Sequence, residues 1–207
     1  MAVRKPLVLI DGQMQELPAG DAVTGRVGAA AGAIYSGQWL TPVTNVATAN
    51  AANSVGDIRI HLWVPGQTLT IDQLAIHIVT AATGGTNAAR LVIYSATAAG
   101  WPDALLATAS VTGLNAVGQF GANLNTGTLT LQAGTRYWFG VHGDFTSTHR
   151  QFTAAALPHL GYASASITPY LCIQRNVSFA SGTPATWGFL ASELKTFNAS
   201  EIRMRVV

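Results

Sequence analysis

Apolar and polar side chains alternate along several stretches of the chain, which is the pattern of β-strands with one covered face. The alternation is clearest in residues 57–65, 69–79, 89–95, 136–141 and 201–207. Because neighbouring side chains of a strand point to opposite faces, each stretch divides into an inward and an outward set. The predicted inward residues are Ile58, Ile60, Leu62, Leu74, Ile76, Ile78, Leu91, Ile93, Tyr137, Phe139, Val141, Ile202 and Met204.

The outward positions of the same strands carry polar and aromatic side chains. They include Arg59, His61, Trp63, His77, Trp138 and His142. A shift of one residue in register would exchange the two faces of a strand, so this assignment is easily tested. We expect an apolar interior beneath the inward set, and solvent or a partner against the outward set.

Glycine and proline separate the predicted strands. Gly100, Trp101, Pro102 and Asp103 form a turn cluster that neither a helix nor a central strand accommodates. Strand-like stretches divided by such clusters are typical of antiparallel sheets. The pattern therefore predicts an all-β fold, an antiparallel sandwich.

Two long stretches lack a period of two and are predicted as loops. Residues 44–56 consist largely of Ala, Asn and Thr, and residues 144–168 show no sustained alternation. Residues 38–43 are predicted as the first strand of the main domain. Because loops as long as 144–168 are usually functional or disordered, we expect an exposed recognition or subunit-contact loop there. The alternative is a loop that only shields a sheet edge.

The N-terminal segment forms a unit of its own, a predicted β-hairpin. Asp11 and Gly12 lie between two short strand-like stretches, and both residues tolerate the positive φ angles of a tight hairpin turn. The glycine-rich residues 22–35 follow as a connector, which divides the chain into an arm, 1–35, and a head, 36–207. An isolated hairpin is marginal in water, so it should dock either on its own head or on another chain.

Two parts of the chain resemble proteins of bacteriophage particles. Residues 55–143, with the runs Ala-Arg-Leu-Val-Ile-Tyr-Ser, Trp-Pro-Asp-Ala-Leu-Leu and Leu-Gln-Ala-Gly-Thr-Arg-Tyr-Trp-Phe-Gly-Val, look like the jelly-roll sandwich modules of phage tail-fibre and other virion proteins. The N-terminal run Pro-Leu-Val-Leu-Ile-Asp-Gly-Gln-Met-Gln-Glu-Leu-Pro-Ala-Gly-Asp is similar to a segment that recurs in phage tail-fibre and related virion proteins. Related sandwiches also occur as carbohydrate-binding modules.

The resemblance implies a non-enzymatic structural subunit of a virion, such as a small fibre, spike or decoration protein with a jelly-roll head. Phage fibres and spikes are commonly threefold, so it also implies a homotrimer that other virion proteins hold through the arm. The anchoring residues would be Leu7, Val8, Leu9, Ile10, Asp11, Gly12, Met14 and Leu17. The head could serve host-surface attachment, and the alternative function is a carbohydrate-binding module that recognises a host surface glycan.

Charge is scarce in this chain. Charged residues make up 10% of the sequence, against about 25% in average soluble proteins, and the net charge is +2. The lysines and arginines are scattered, so no nucleic-acid partner is expected. Few charges favour a surface that other subunits partly cover. Because no apolar run approaches the ~20 residues of a membrane helix, we expect no membrane insertion and assembly in the bacterial cytoplasm.

Sequence motifs of catalysis and cofactor binding are absent. The chain has no nucleophile elbow, phosphate loop or dinucleotide fingerprint, and its acidic residues lie mostly at turns. His61, His77 and His142 could meet across strands and bind a metal, but their unrelated spacings favour solvent or interface positions. Cys172 is expected to be a small buried apolar side chain. We therefore expect no cofactor, no metal and no enzymatic activity; an enzyme such as a glycan depolymerase is the third hypothesis.

Aromatic and basic side chains are the candidates for recognition. They are Trp63 and Trp138 on outward strand positions, and His149, Arg150, His159 and Tyr162 in the predicted loop. Exposed tryptophans can stack on sugar rings, but they can equally fill a subunit interface, where aromatic residues are enriched. The low charge of the chain favours the interface.

Overall fold

The computed structural model describes residues 7–10, 13–16, 36–41, 46–152, 160, 170–196 and 199–207, of which only the backbone is described in 7–10, 13–16 and 46–53. In chain order the described strands are β1 (Leu7–Ile10), β2 (Gln13–Glu16), β3 (Trp39–Leu40), β4 (Val46–Asn53), β5 (Asp57–Trp63), β6 (Leu69–Ala96), β7 (Pro102–Val111), β8 (Gly118–Asn123), β9 (Leu129–Leu131), β10 (Tyr137–Phe152), β11 (Cys172–Asn176), β12 (Leu194–Lys195) and β13 (Ile202–Val206). Two short 3-10 helices span Phe179–Ser181 and Ala191–Glu193. Within these ranges no helix is long and apolar enough to cross a membrane.

Two long strands, β6 and β10, organise the main sheet. The first half of β10 pairs with β5 and with the second half of β6, and β7 lies on the other side of that half of β6. The first half of β6 pairs with β8, β9 and β13, while β4 pairs with the second half of β10. Each of these pairings is antiparallel, and the sheet curls into a half-barrel. The fold is all-β and consistent with the predicted antiparallel sandwich; its finer assignment as a jelly roll stays a prediction.

The backbone of β6 is irregular around a glycine pair. The φ angles are positive at Gly84 (+74°), Gly85 (+57°) and Asn87 (+52°), a region that glycine adopts at no steric cost and asparagine adopts more often than most other residues. The Asp144 carboxylate accepts hydrogen bonds from the backbone N–H of Thr86 at 3.0 Å and from its hydroxyl at 2.6 Å. A Cβ atom on Gly85 would lie 2.3 Å from the Asp144 carbonyl oxygen. Only glycine therefore fits at this point, where the two long strands are held together.

The main core lies inside the curl of the sheet. Its buried residues are Leu69, Ile71, Leu74, Ile76, Ile78, Ala82, Ala89, Leu91, Ile93, Ala107, Ala109, Val111, Leu114, Leu124, Leu131, Tyr137, Phe139, Val141, Phe145, Ile202, Met204 and Val206. Each large aliphatic side chain buried here stabilises the fold by roughly 1.5–3 kcal/mol. All the predicted inward residues except Ile58, Ile60 and Leu62 belong to this core, which confirms the alternation in those strands.

A second core lies on the opposite face of the part of the sheet formed by β5, β10 and β6. Its buried residues are Ile58, Ile60, Val92, Tyr94, Trp138, Ile173 and Trp187. Residues 177–193, here called the covering segment, close this core from outside. Arg90 donates a hydrogen bond to the carbonyl oxygen of Phe179 at 2.7 Å, and the Tyr94 hydroxyl donates to that of Pro184 at 2.8 Å.

The predicted inward set therefore mixes two faces of the sheet. Side chains directly opposite each other on paired strands point to the same face. Phe139 pairs with His61, whereas Ile60 pairs with Gly140, so Phe139 and Ile60 face different cores. Leu62, predicted inside, is half-buried and packs against the second core. Alternation alone cannot distinguish two faces that are both covered.

The outward assignment is wrong for most of its members. Arg59, His61, Trp138 and His142 are buried. Trp63 and His77 are half-buried, and Trp63 packs against the main core. Two causes apply. Trp138 and His142 face the second core, where the covering segment buries them. Arg59, His61 and Trp63 lie opposite Val141, Phe139 and Tyr137, so they share the face of the main core.

Both loop predictions are corrected where the structure describes them. Residues 46–53 form β4, which pairs with β10, and β10 continues to Phe152 instead of ending before residue 144. Ala and Asn have low strand propensity, but pairing with β10 satisfies backbone hydrogen bonds along one side of the segment. The predicted first strand is confirmed as the shorter β3, paired with β13.

The predicted N-terminal hairpin is confirmed at the level of backbone pairing. β1 and β2 are antiparallel, with Leu7 opposite Glu16 and Ile10 opposite Gln13, which leaves two residues between the strands. The pair forms a two-stranded sheet that shares no strand pairing with the main sheet in the described ranges. Asp11, Gly12, Leu17 and the predicted connector lie outside the described residues.

Candidate functional site

The two tryptophans predicted for recognition are largely enclosed. Trp138 is fully buried in the second core, and its indole N–H donates a hydrogen bond to the carbonyl oxygen of Gly100 at 3.0 Å. Trp63 is half-buried, and its ring meets Phe139 edge-on with centroids 5.4 Å apart. Trp138 thus has no exposed surface for a partner, and Trp63 has only part of its ring.

The residues predicted for a recognition loop fall in different places. His149 is fully buried on β10, and its Nε2 lies 2.7 Å from the Ser200 hydroxyl oxygen. Arg150 is half-buried on the same strand. His159 and Tyr162 lie outside the described residues. The exposed position expected for His149 is wrong because β10 carries this residue into the interior.

Ser200 and His149 are residue types that act as nucleophile and base in some enzymes, but the environment of this pair differs from that of a catalytic site. Burial, with a smaller contribution from the charge of Arg59, lowers the pKa of His149 to about 3. Its Nδ1 has no hydrogen-bond partner among the described residues, whereas a catalytic base is oriented by a third group. Ser200 and His149 are both buried. The contact is therefore part of the packing between β10 and the segment just before β13.

The three histidines considered for a metal site do not face one another. His61 pairs with Phe139 and faces the main core, whereas His142 pairs with Ile58 and faces the second core. His142 donates through Nε2 to the carbonyl oxygen of Val177 at 3.1 Å, so its Nδ1 accepts from the Thr183 hydroxyl. Among the residues that the structure describes, no group of three His, Cys, Asp or Glu side chains could hold a metal ion.

An ion pair holds the covering segment in place. Arg175 Nε donates to the Glu193 carboxylate at 2.6 Å, and the Trp187 indole N–H donates to the other carboxylate oxygen at 2.9 Å. The Arg175 guanidinium also lies 4.9 Å from the centre of the Trp187 ring. Only 8% of the Glu193 side chain is exposed, so these contacts compensate a buried charge.

Beside the covering segment lies an open cleft of about 180 Å³. We call it the Trp101 cleft. Its lining residues are Leu62, Ala99, Gly100, Trp101, Arg136, Trp138 and Leu160. They come from the end of β5, the turn before β7 and the start of β10, together with Leu160. The cleft places a partly exposed aromatic ring, Trp101, beside a cationic group, Arg136.

The turn that carries Trp101 is tightly held. Thr97 N–H donates to the Trp101 carbonyl oxygen at 2.8 Å, and Gly100 N–H donates to the Thr97 carbonyl oxygen at 2.8 Å. Trp101 stacks on Phe189 with the centroids 4.0 Å apart and the planes 8° from parallel. The hydrogen bonds therefore hold the backbone of the turn, and the stack on Phe189 restrains the indole ring.

Arg136 lies across the same turn. Its side chain packs on Gly100, where a Cβ atom would lie 3.0 Å from Nη1. The Arg136 guanidinium makes no hydrogen bond or ion pair to any of the described residues and is exposed. A planar cation of this kind binds carboxylates through two parallel hydrogen bonds.

Part of this site could be found in the sequence and part could not. The alternation places Arg136 on the same side of its strand as Trp138, and the Gly-Trp-Pro-Asp turn brings an aromatic residue to the surface. Nothing in the pattern shows that Phe189 stacks on Trp101, because the two are far apart in sequence. No protein-family model matches the chain, and no curated protein matches it.

Proposed function

We propose that this chain is a non-enzymatic structural subunit of a bacteriophage particle, a small fibre, spike or decoration protein attached through its N-terminal arm. The observation that carries the proposal is the hairpin of β1 and β2, whose strands pair with each other and with no described strand of the main sheet. A two-stranded hairpin by itself is marginal in water. A second protein that packs on it would supply the missing contacts.

The head is proposed to present its β-sandwich surface to other subunits. Charged residues are only 10% of the chain, which suits a surface partly covered in an assembly. We propose a homotrimer, on the threefold symmetry common among the fibres and spikes that the sequence resembles. Sedimentation equilibrium of the purified chain should give three times the mass of one chain; the mass of a monomer or dimer would contradict the trimer.

The absence of enzymatic activity is proposed from the sequence and from the buried contact of Ser200 with His149. The chain lacks the motifs that hold nucleophiles, phosphates and dinucleotides. The serine and histidine that do meet are enclosed, and the pKa of His149 is far below the range of a general base at neutral pH.

Deletion of residues 1–21 tests the anchoring role. Particles assembled with the truncated chain should lack the subunit, while the truncated head still unfolds cooperatively on heating. The control is a full-length chain in which residues 7–17 are scrambled, which keeps length and composition but removes the hairpin pattern, and it should also be absent from particles. Normal incorporation of the truncated chain would reject the arm as an anchor, and loss of folding would make the arm part of the head.

A second candidate function, glycan binding by the head, is favoured by the Trp101 cleft. It combines a fixed, partly exposed indole with a cation and with the apolar side chains of Leu62 and Leu160. A glycan array probed with the full-length chain should show selective binding that Trp101→Ala removes. Equal signals from the two proteins, or no signal from either, would reject it.

A further inference from the structure

We propose that the Trp101 cleft binds the carboxylate-bearing sugar of an acidic glycan, with Arg136 holding the carboxylate. This inference rests on the glycan-binding candidate and names the ligand class of that site. Four features of the cleft support it: a guanidinium without an acidic partner among the described residues, the apolar surface beside it, the volume of the cleft, and backbone groups of the turn that already form hydrogen bonds.

The cation is available for a ligand. Arg136 has no acidic partner among the described residues, whereas Arg175, Arg203 and Arg205 each form an ion pair. Gly100 lets the Arg136 side chain rest directly on the turn, because a Cβ atom at that position would approach Nη1 to 3.0 Å. The guanidinium is thus positioned at the mouth of the cleft with its donors unused.

Apolar surface lies next to this cation. Trp101, Leu62 and Leu160 line the cleft, and the parallel stack on Phe189 holds the indole in one orientation. Sugar rings present patches of C–H groups that pack on such surfaces, while their hydroxyls stay in water. An open cleft suits this arrangement because the hydroxyls do not have to be desolvated.

The volume limits the ligand to a small group. Pockets that enclose drug-sized ligands measure roughly 300–1,000 Å³, and the Trp101 cleft has about 180 Å³. A single ring with its carboxylate is the largest unit that the cleft accommodates, so the rest of a glycan would extend into solvent. Recognition then depends on an end group or a side branch.

The rim is poorly suited to a peptide strand. Extended peptides bind through backbone hydrogen bonds to free N–H and C=O groups. In this turn the Gly100 carbonyl accepts from Trp138, the Gly100 N–H donates to Thr97, and the Trp101 N–H lies 3.2 Å from the Thr97 hydroxyl. These backbone groups of Gly100 and Trp101 are therefore occupied, which leaves the guanidinium and the apolar side chains as the main recognition elements.

Paired ligands test the inference without any change to the protein. An oligosaccharide with terminal glucuronate and its carboxyl-reduced counterpart, which ends in glucose, differ only in the group proposed to meet Arg136. The full-length chain should bind the acidic ligand about tenfold or more tightly in calorimetry, and the difference should shrink at high salt. Equal affinity for the two ligands would overturn the inference.

Variants locate the effect. Arg136→Gln should remove the preference for the acidic ligand. Arg136→Lys should retain part of this preference, because it keeps the positive charge but loses the planar guanidinium that binds a carboxylate through two hydrogen bonds. Arg150→Gln is the matched control, because it removes from the other end of β10 a guanidinium that also makes no hydrogen bond or ion pair to the described residues. Unchanged binding by Arg136→Gln, or an equal loss in Arg150→Gln, would contradict the assignment; thermal unfolding of each variant checks that it is folded.

The outcomes separate this inference from the glycan-binding candidate. If neutral sugars bind and Trp101→Ala abolishes their binding, the candidate function stands and the acidic preference is wrong. If no saccharide binds, both are wrong. A short peptide with a C-terminal aspartate is included as a competitor; binding of this peptide, but of no sugar, with dependence on Arg136 would replace the glycan by a protein ligand.

Discussion

At the scale of single residues, two buried histidines carry polar atoms without compensation. Both ring nitrogens of His61 and the Nδ1 of His149 have no hydrogen-bond partner among the described residues. Burial lowers the pKa of each side chain to about 3. In the unfolded chain each of these histidines binds a proton near pH 6.5. In the folded chain both side chains stay neutral until about pH 3.

This difference predicts acid sensitivity with a defined sign. The contribution of each histidine to stability is fully present above about pH 6.5 and falls as the pH drops toward 3, by about 1.4 kcal/mol per pH unit. His61→Phe removes one of the two groups from a site where Phe152 lies 5.2 Å away, centroid to centroid. Stability is measured by urea unfolding at pH 7, 5 and 4. At pH 7 the variant should be as stable as the unsubstituted chain, and between pH 7 and pH 4 it should lose less stability than that chain does. An identical pH dependence in both proteins would show that His61 is not responsible.

At the scale of elements, period-two alternation identifies strands but not the layers between which they lie. It correctly places Leu74, Ile76 and Ile78 in the main core. It cannot show that Ile60 faces a second core, because the covering segment that buries it has no period of its own. The sequence pattern did not predict β4 for a related reason, since its small residues form a strand only because β10 pairs with them.

The close contact between β5 and β10 requires a glycine. A Cβ atom on Gly140 would lie 2.0 Å from the Arg59 carbonyl oxygen and 2.7 Å from the Ile60 Cα. Gly140→Ala should therefore destabilise the head by at least the ~1–3 kcal/mol typical of overpacking. Gly121→Ala is the matched control, since its nearest neighbours lie at 3.3–3.4 Å, and it should cost much less in urea unfolding. Equal losses in the two variants would refute the close approach.

A large-to-small change in the main core tests the assignment of β6. Ile76 is fully buried and pairs with Ile202 and Phe120 on the neighbouring strands. Ile76→Ala should cost about 2–5 kcal/mol of unfolding free energy, through lost burial and the cavity left behind. A loss below 1 kcal/mol, of the order expected for an exposed site, would place this face of β6 outside the core.

A third prediction at this scale concerns the ion pair between Arg175 and Glu193 beneath the covering segment. Arg175→Met leaves the buried Glu193 carboxylate without its cation, which should cost about 3 kcal/mol and shift the fluorescence of Trp187 toward that of an exposed indole. Adding Glu193→Gln removes the charge but keeps an acceptor for Trp187, so the double variant should recover most of the loss. A double variant less stable than Arg175→Met alone would contradict this account.

At the scale of the whole molecule, the candidate sites arise from segments far apart in sequence. The Trp101 cleft combines residues near positions 62, 100, 136 and 160, and only the curl of the sheet brings them together. The hairpin is the opposite case, since its turn residues and flanking strands are adjacent and local pattern suffices to predict it. Fold class and hairpin could thus be predicted from the sequence, whereas the second core and the cleft depend on tertiary packing.

The central claim is that residues 7–16 form an anchoring arm. Amide hydrogen exchange of the full-length subunit, free and incorporated in particles, tests it most directly. The arm account predicts rapid exchange of these amides in the free subunit, strong protection in the particle, and slow exchange of the β6 and β10 amides in both states. Protection of residues 7–16 in the free subunit equal to that of β6, or no gain in protection in the particle, would contradict it.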